Sequence, residues 1–370
     1  MRFRSFAVVA CVAAGLAFAV APSGAEEDGY HADILRRIQH WEGAPAAPRG
    51  LTLTPAADGP ARGFALSIGL NRVDPKAYGG WDGALTGCVN DAKELVQLLK
   101  DQSSGFEITE LRDEQATRAA VRDQLGRLAA IARPGDLVIM GFAGHGGQVK
   151  DFNGDEEDGL DETLCLYDGQ MIDDELVVHF ARFAPGVKVL VIADSCHSGT
   201  SFFKRAQELR KMVTMSSHER VLPEFRDRAK LLDEEAVRRQ RGLPSLVRAL
   251  PENLPGFREG GIPDNPALAA EYERYGRTTP SPLETIRTVQ AAVVLVTSCQ
   301  ESQFALDGPV NGLFTSALKD MWAQRRFQDR TYRELFKEVA REMPQFQQPT
   351  YAYFGTGASR FFNERPFAAR

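Results

Sequence analysis

The sequence predicts an α/β fold built on a largely parallel sheet covered on both faces. Three observations carry this: short apolar runs without alternation, segments with apolar residues at helical spacing, and the regular alternation of the two from Phe64 onward. FALSIGLN (64–71) is a continuous apolar run, as a strand buried on both sides requires. NDAKELVQLLKD (90–101) sets Ala92, Leu95, Val96, Leu98 and Leu99 on one helical face, with Asn90 or Asp91 placed to cap it. EITELRD (107–113) alternates as a strand, and ATRAAVRDQLGRLAAIA (116–132) is a helix stopped by Pro134-Gly135. DLVIMGFAG (136–144) is the next strand. Asp173 is placed to cap a helix through Phe183, and VKVLVIAD (187–194) is a further buried strand. Residues 200–288 break the rhythm with charge, including Lys204-Arg205, Arg210-Lys211 and Arg238-Arg239-Gln240-Arg241. AAVVLVTSC (291–299) restores it, followed by helices at 312–324 and 331–342. The expected organisation is therefore a larger part, 63–199, a charged insertion, 200–288, and a smaller part, 289–360, that completes the same sheet.

The 370 residues carry a net charge of −6 and 25% charged residues, which argues against a basic nucleic-acid footprint. The N-terminus reads as a targeting segment: Arg2 and Arg4, an apolar run from Phe6 to Ala21, then Ser23-Gly24-Ala25 before Glu26-Glu27. We expect a signal peptide over 1–25, cleavage after Ala25, and export to a periplasmic or extracellular space. An uncleaved membrane anchor is the rival reading, disfavoured because the run falls short of about 18–20 apolar residues. No membrane span is expected in the mature chain. Residues 26–62 form an extension, of which 43–62 is a linker rich in Pro, Ala and Gly. Past the signal, Cys88, Cys165, Cys196 and Cys299 are too sparse for a disulfide framework and lack zinc-ligand spacing. Composition sets no oligomeric state.

The chemistry lies at two strand ends. In open parallel sheets, ligands bind where the strands end at their carboxyl side. One strand ends GFAGHGGQ, with His145 between glycines; the other ends ADSCHSG, with Cys196. If the two strands are neighbours, thiol and imidazole meet there. An imidazole that takes the thiol proton creates a nucleophile. The amides of Gly146 and Cys196 are the expected oxyanion donors. His197, adjacent to Cys196, points elsewhere on extended backbone. Separately, a strand-end Cys is more often an inert buried thiol and a His in a glycine-rich loop more often a surface residue. Their coincidence argues for acyl-transfer chemistry.

GFAGHGGQ and DSCHSGT resemble the two catalytic signatures of metacaspases, in the caspase-like clan of cysteine peptidases. The separation of His and Cys agrees with the caspase spacing. ALSIGLN, LTGCVNDAKEL, DEQATRAAV, GDEEDGLDETL, IDDEL and TYRELF resemble further metacaspase segments in the same order, over 64–200 and more loosely 290–355. The resemblance implies a caspase-like three-layer α/β/α sandwich with a mostly parallel sheet. It implies His145 and Cys196 as the catalytic pair, and Asp91 and Asp194 as the acids of the pocket for the substrate side chain. Two carboxylates in a partly dry pocket select a cation, so cleavage of proteins or peptides after Arg or Lys is expected. The other reading of Asp91 is a plain helix cap.

No cofactor is required for this chemistry. The resemblance implies calcium as an activator, through Asp158, Asp173 and Asp174; a further family acid, seven residues after the Cys, is replaced by Phe203. DFNGDEEDGLDE (151–162) sets Asp151, Asn153, Asp155 and Glu162 at EF-hand-like positions, but Glu156 stands where glycine is needed. A solvated acidic loop is the competing reading. An enzyme that cuts after Arg or Lys and carries 200–288 is expected to process itself there. The alternative from another class is a catalytically silent caspase-like scaffold, which has no need to keep both His145 and Cys196. A calcium-binding module and a related peptidase of other preference stand behind it.

Overall fold

The computed structural model describes residues 59–101, 105–156, 159–195, 265–300, 303–324, 329–345 and 347–368. A six-stranded sheet runs in the order β2-β1-β3-β7-β8-β9. Its strands are β1 (Gly63–Gly69), β2 (Phe106–Arg112), β3 (Leu137–Ala143), β7 (Lys188–Asp194), β8 (Ala292–Thr297) and β9 (Thr350–Phe354). All neighbours are parallel except β8 and β9. The mostly parallel α/β sandwich expected from the sequence is what forms.

The unbroken apolar runs have their reason in the two faces. Leu190 and Ile192 of β7 join one core; Val189 and Val191 join the other. Alternate side chains of a strand point to opposite faces. On the first face pack α1 (Cys88–Lys100), α6 (Leu313–Ala323), α7 (Tyr332–Glu342) and the short α8 (Ala358–Phe361), through Leu95, Leu99, Phe314, Leu335 and Phe336. On the second lie α2 (Arg118–Ile131), α3 (Asp173–Ala181) and α5 (Pro282–Thr288), through Val121, Leu125, Val177, Phe180 and Ile286. Caps set the helix starts: Thr117 Oγ1 accepts the Ala120 N–H at 3.1 Å, and Thr331 and Glu334 cap α7 reciprocally.

Three features differ from the sequence expectation. First, β4 (Gly146–Lys150), β5 (Leu160–Leu166) and β6 (Gly169–Ile172) form a separate antiparallel sheet, where the acids 151–162 suggested only a loop. Second, the charged stretch 200–288 ends in folded structure. Helix α4 (Pro266–Thr278) buries Tyr272, whose hydroxyl accepts the Gln170 N–H at 2.6 Å, and α5 joins the core. Third, α1 is capped by neither Asn90 nor Asp91: its N-cap is Gly87, and that of α3 is Ile172 rather than Asp173. No helix among the described residues is long and apolar enough to cross a membrane.

Candidate active site

Strands β3 and β7 are neighbours, with Ala143 paired to Asp194. Each therefore runs out two residues before a residue of interest, His145 on one side and Cys196 on the other. Gly144 N–H points to the Asp194 carbonyl at 3.5 Å, tying the strand ends together. Cys196 and His197 lie outside the described residues, as do Asp158 and Phe203.

His145 is buried, 2% exposed. Its Nε2 lies 3.0 Å from the Gly83 carbonyl oxygen. A carbonyl only accepts, so Nε2 carries the proton, and whenever the ring is neutral the lone pair is on Nδ1. The indole of Trp81 stands against the imidazole, centroids 4.6 Å apart. Gly83 itself adopts φ +61°, and a Cβ there would press on Val73 and approach the His145 ring. Neither Trp81 nor the Gly83 carbonyl was foreseen; a backbone acceptor leaves no signature in a sequence. Gly146 opens β4 directly after His145.

Asp91 and Asp194 are 3% and 1% exposed. Asp91, in the first turn of α1, accepts from Asn311 Nδ2 at 2.9 Å and from Gly312 N–H at 3.0 Å. Asp194 Oδ2 accepts from Thr315 N–H at 3.2 Å and Thr315 Oγ1 at 2.8 Å. Both acids thus face the N-terminus of α6, whose partial positive charge suits them. Asp307, which the sequence did not single out, ties the same loop back to α1: its carboxylate accepts Thr86 N–H at 2.8 Å and Gly87 N–H at 3.0 Å. Asp91 and Asp194 line one cavity of about 230 Å³, with Leu95, Phe142, Ile192, Leu318 and Trp322 among its walls. That is below the ~300–1,000 Å³ of small-molecule sites and of a size for one long side chain.

A family model described as the caspase domain matches residues 62–357. The chain belongs to the caspase-domain family of cysteine peptidases. Metacaspase-1 of Ajellomyces capsulatus is 38% identical over 151 residues, 37% of this chain and 40% of that protein. Metacaspase-1A of Aspergillus clavatus is 28% identical over 302 residues, 75% of this chain and 62% of that protein. The chain thus spans about 40% of the length of the first curated relative it matches. A crystal structure of a protein from Geobacter sulfurreducens shares 33% identity and a TM-score of 0.63, covering 84% of this chain and 99% of that one.

In this caspase-domain chain the thiols differ in environment. Cys88, Cys165 and Cys299 are buried and form no disulfide among the described residues, and burial pushes the Cys165 thiol up to about 12, an unreactive state. The acids expected to hold calcium cluster in part. Asp173 and Asp174 bring carboxylate oxygens within 4.8 Å of each other and of Asp161, which the sequence reading had not selected. Oxygens of Asp161, Asp173 and Asp174 are buried without a hydrogen-bond partner among the described residues. Burial, then the neighbouring carboxylates, push Asp161 up to about 9 and raise Asp173 and Asp174 well above the usual carboxylate range. An all-oxygen set of orphaned buried carboxylates fits a hard divalent cation such as calcium.

Proposed function

We propose that the protein is a thiol-dependent endopeptidase that cleaves polypeptides after Arg or Lys. The observation that carries the specificity is the pairing of Asp91 and Asp194 on one narrow cavity with apolar walls, beside the ends of β3 and β7. The walls suit the methylene stem of a basic side chain, and the acids its charged head. Each carboxylate offers about four lone-pair sites, more than the α6 contacts use.

In this reading Nδ1 of His145 takes the proton of Cys196, and the sulfur attacks the scissile carbonyl carbon. The amides of Gly146 and Cys196 receive the oxyanion. The C–N bond breaks as His145 returns the proton to the leaving amine. Water, deprotonated at the same nitrogen, then hydrolyses the thioester and the thiol is regained. The Gly83 carbonyl keeps the ring in the tautomer this cycle needs. Asp161, Asp173 and Asp174 would hold calcium, which supplies charge neutralisation near the start of α3, outside the chemical steps. We further propose export through residues 1–25 and self-cleavage within 200–288.

A peptide chloromethyl ketone ending in Arg tests the pocket. It should alkylate Cys196, read by mass spectrometry, while the Asp analogue should not. Equal labelling by both would remove the specificity.

A further inference from the structure

We propose that the acidic pocket between β4, β5 and α3 holds two divalent cations bridged by Asp161, the second on Asp151 and Asp155. The inference rests on the cation reading of Asp173 and Asp174 and extends it. The five acids do not form one group within ion reach. They form two triads, Asp151–Asp155–Asp161 and Asp161–Asp173–Asp174, that share Asp161. Within each triad the ligand oxygens lie within 4.8 Å of one another. That is about twice a Ca–O distance of 2.3–2.6 Å, so one ion reaches all three acids of a triad.

An orphaned oxygen points to the ligand. Asp161 is 1% exposed, and its Oδ1 has no hydrogen-bond partner among the described residues. A buried carboxylate without a partner is costly unless a cation meets it. Among the described residues, the charges acting most on Asp161 and Asp173 are further carboxylates, Asp155, Glu156 and Glu162 among them. Fully ionised, the five acids of the two triads carry five negative charges, of which one divalent ion offsets two and two ions offset four.

The first triad is also held in place before any ion arrives. Asp151 Oδ1 accepts the N–H groups of Asn153 at 2.8 Å and Gly154 at 2.6 Å, and Oδ2 that of Glu156 at 2.9 Å. These bonds fix the carboxylate: they occupy both lone pairs of Oδ1 and one of the two on Oδ2. Asn153 Nδ2 donates to Asp174 Oδ2 at 2.6 Å, which couples the loop to the second triad.

The test is calcium stoichiometry by equilibrium dialysis and titration calorimetry on the full chain carrying Cys196→Ala. Two calcium ions per chain are expected. Asp151→Asn and Asp155→Asn should each leave one, and Asp161→Asn should weaken both. One ion per chain, unchanged by Asp151→Asn, would overturn the second site and leave the cation reading standing. No binding at millimolar calcium would overturn both. Near-UV circular dichroism reports folding, and if Asp151→Asn fails to fold, Asp155→Asn carries the count.

Discussion

His145 and Gly83 meet through one hydrogen bond, ring Nε2 to carbonyl oxygen at 3.0 Å, across 62 residues of sequence. The backbone of one loop thereby sets which nitrogen of the base is available. His145→Ala should lower kcat/KM by about 10²–10⁴-fold, the usual worth of a positioned base. Gly83→Ala, strained at φ +61° and crowded by Val73, should lower kcat and also cost about 1 kcal/mol or more of stability. Steady-state kinetics beside a melting curve separates the two effects.

Asp91 and Asp194 each have a structural and a proposed binding role. Asp91→Ala strips the Gly312 N–H and the Asn311 amide of an acceptor and should cost about 1–3 kcal/mol of stability in denaturant melts. Both Asp91→Asn and Asp194→Asn should lower kcat/KM on Arg peptides at least about tenfold, one lost charge-assisted contact being worth ~1.5–3 kcal/mol. Alkylation of Cys196 by iodoacetamide should continue at its usual rate, because the small reagent does not use the pocket.

The raised acids link stability to pH. Asp161, held near 9 in the fold, keeps a proton that the unfolded chain releases above about pH 4. Its contribution is therefore full at low pH and is lost as pH climbs toward 9. Without divalent cations, Tm should fall between pH 5 and pH 8. Millimolar calcium should raise Tm more at pH 8 than at pH 5, since the ion competes with the protons. Differential scanning calorimetry at the two pH values checks the sign.

Arg122 clasps Glu175 with two hydrogen bonds, Nε at 2.5 Å and Nη2 at 3.0 Å, and Glu175 is 1% exposed. Burial alone would raise the Glu175 carboxyl, but His179, with Nε2 at 3.7 Å, and the two Arg122 hydrogen bonds outweigh it and hold the group below its usual range. Arg122→Met strands a buried charge and should cost about 3–5 kcal/mol. The double change with Glu175→Leu should cost less. Urea denaturation of the two variants decides.

Much of this was legible in the sequence because the strands carry their own evidence. VKVLVIAD and DLVIMGFAG read as strands buried on both faces, and their adjacency follows from two reactive ends that make sense only together. What was not legible arises where the fold overrides local pattern. Asp161 and Glu162 sit buried in β5, yet charged residues in sequence suggest a loop, so the second sheet was missed, and with it Asp161 as the acid beside Asp173 and Asp174. Tyr272 was lost among the charges of 200–288. Asp91, expected as a pocket acid or as the cap of its own helix, caps the start of α6 instead of its own helix, more than 200 residues away in sequence.

The central claim is that Cys196 cleaves after basic residues. Initial rates on fluorogenic peptides ending in Arg, Lys or Asp, with and without calcium, test it most directly for the wild type and Cys196→Ala. Turnover of the Arg and Lys peptides that vanishes in Cys196→Ala is the predicted result. Turnover of the Asp peptide, or hydrolysis that survives loss of the thiol, would contradict it.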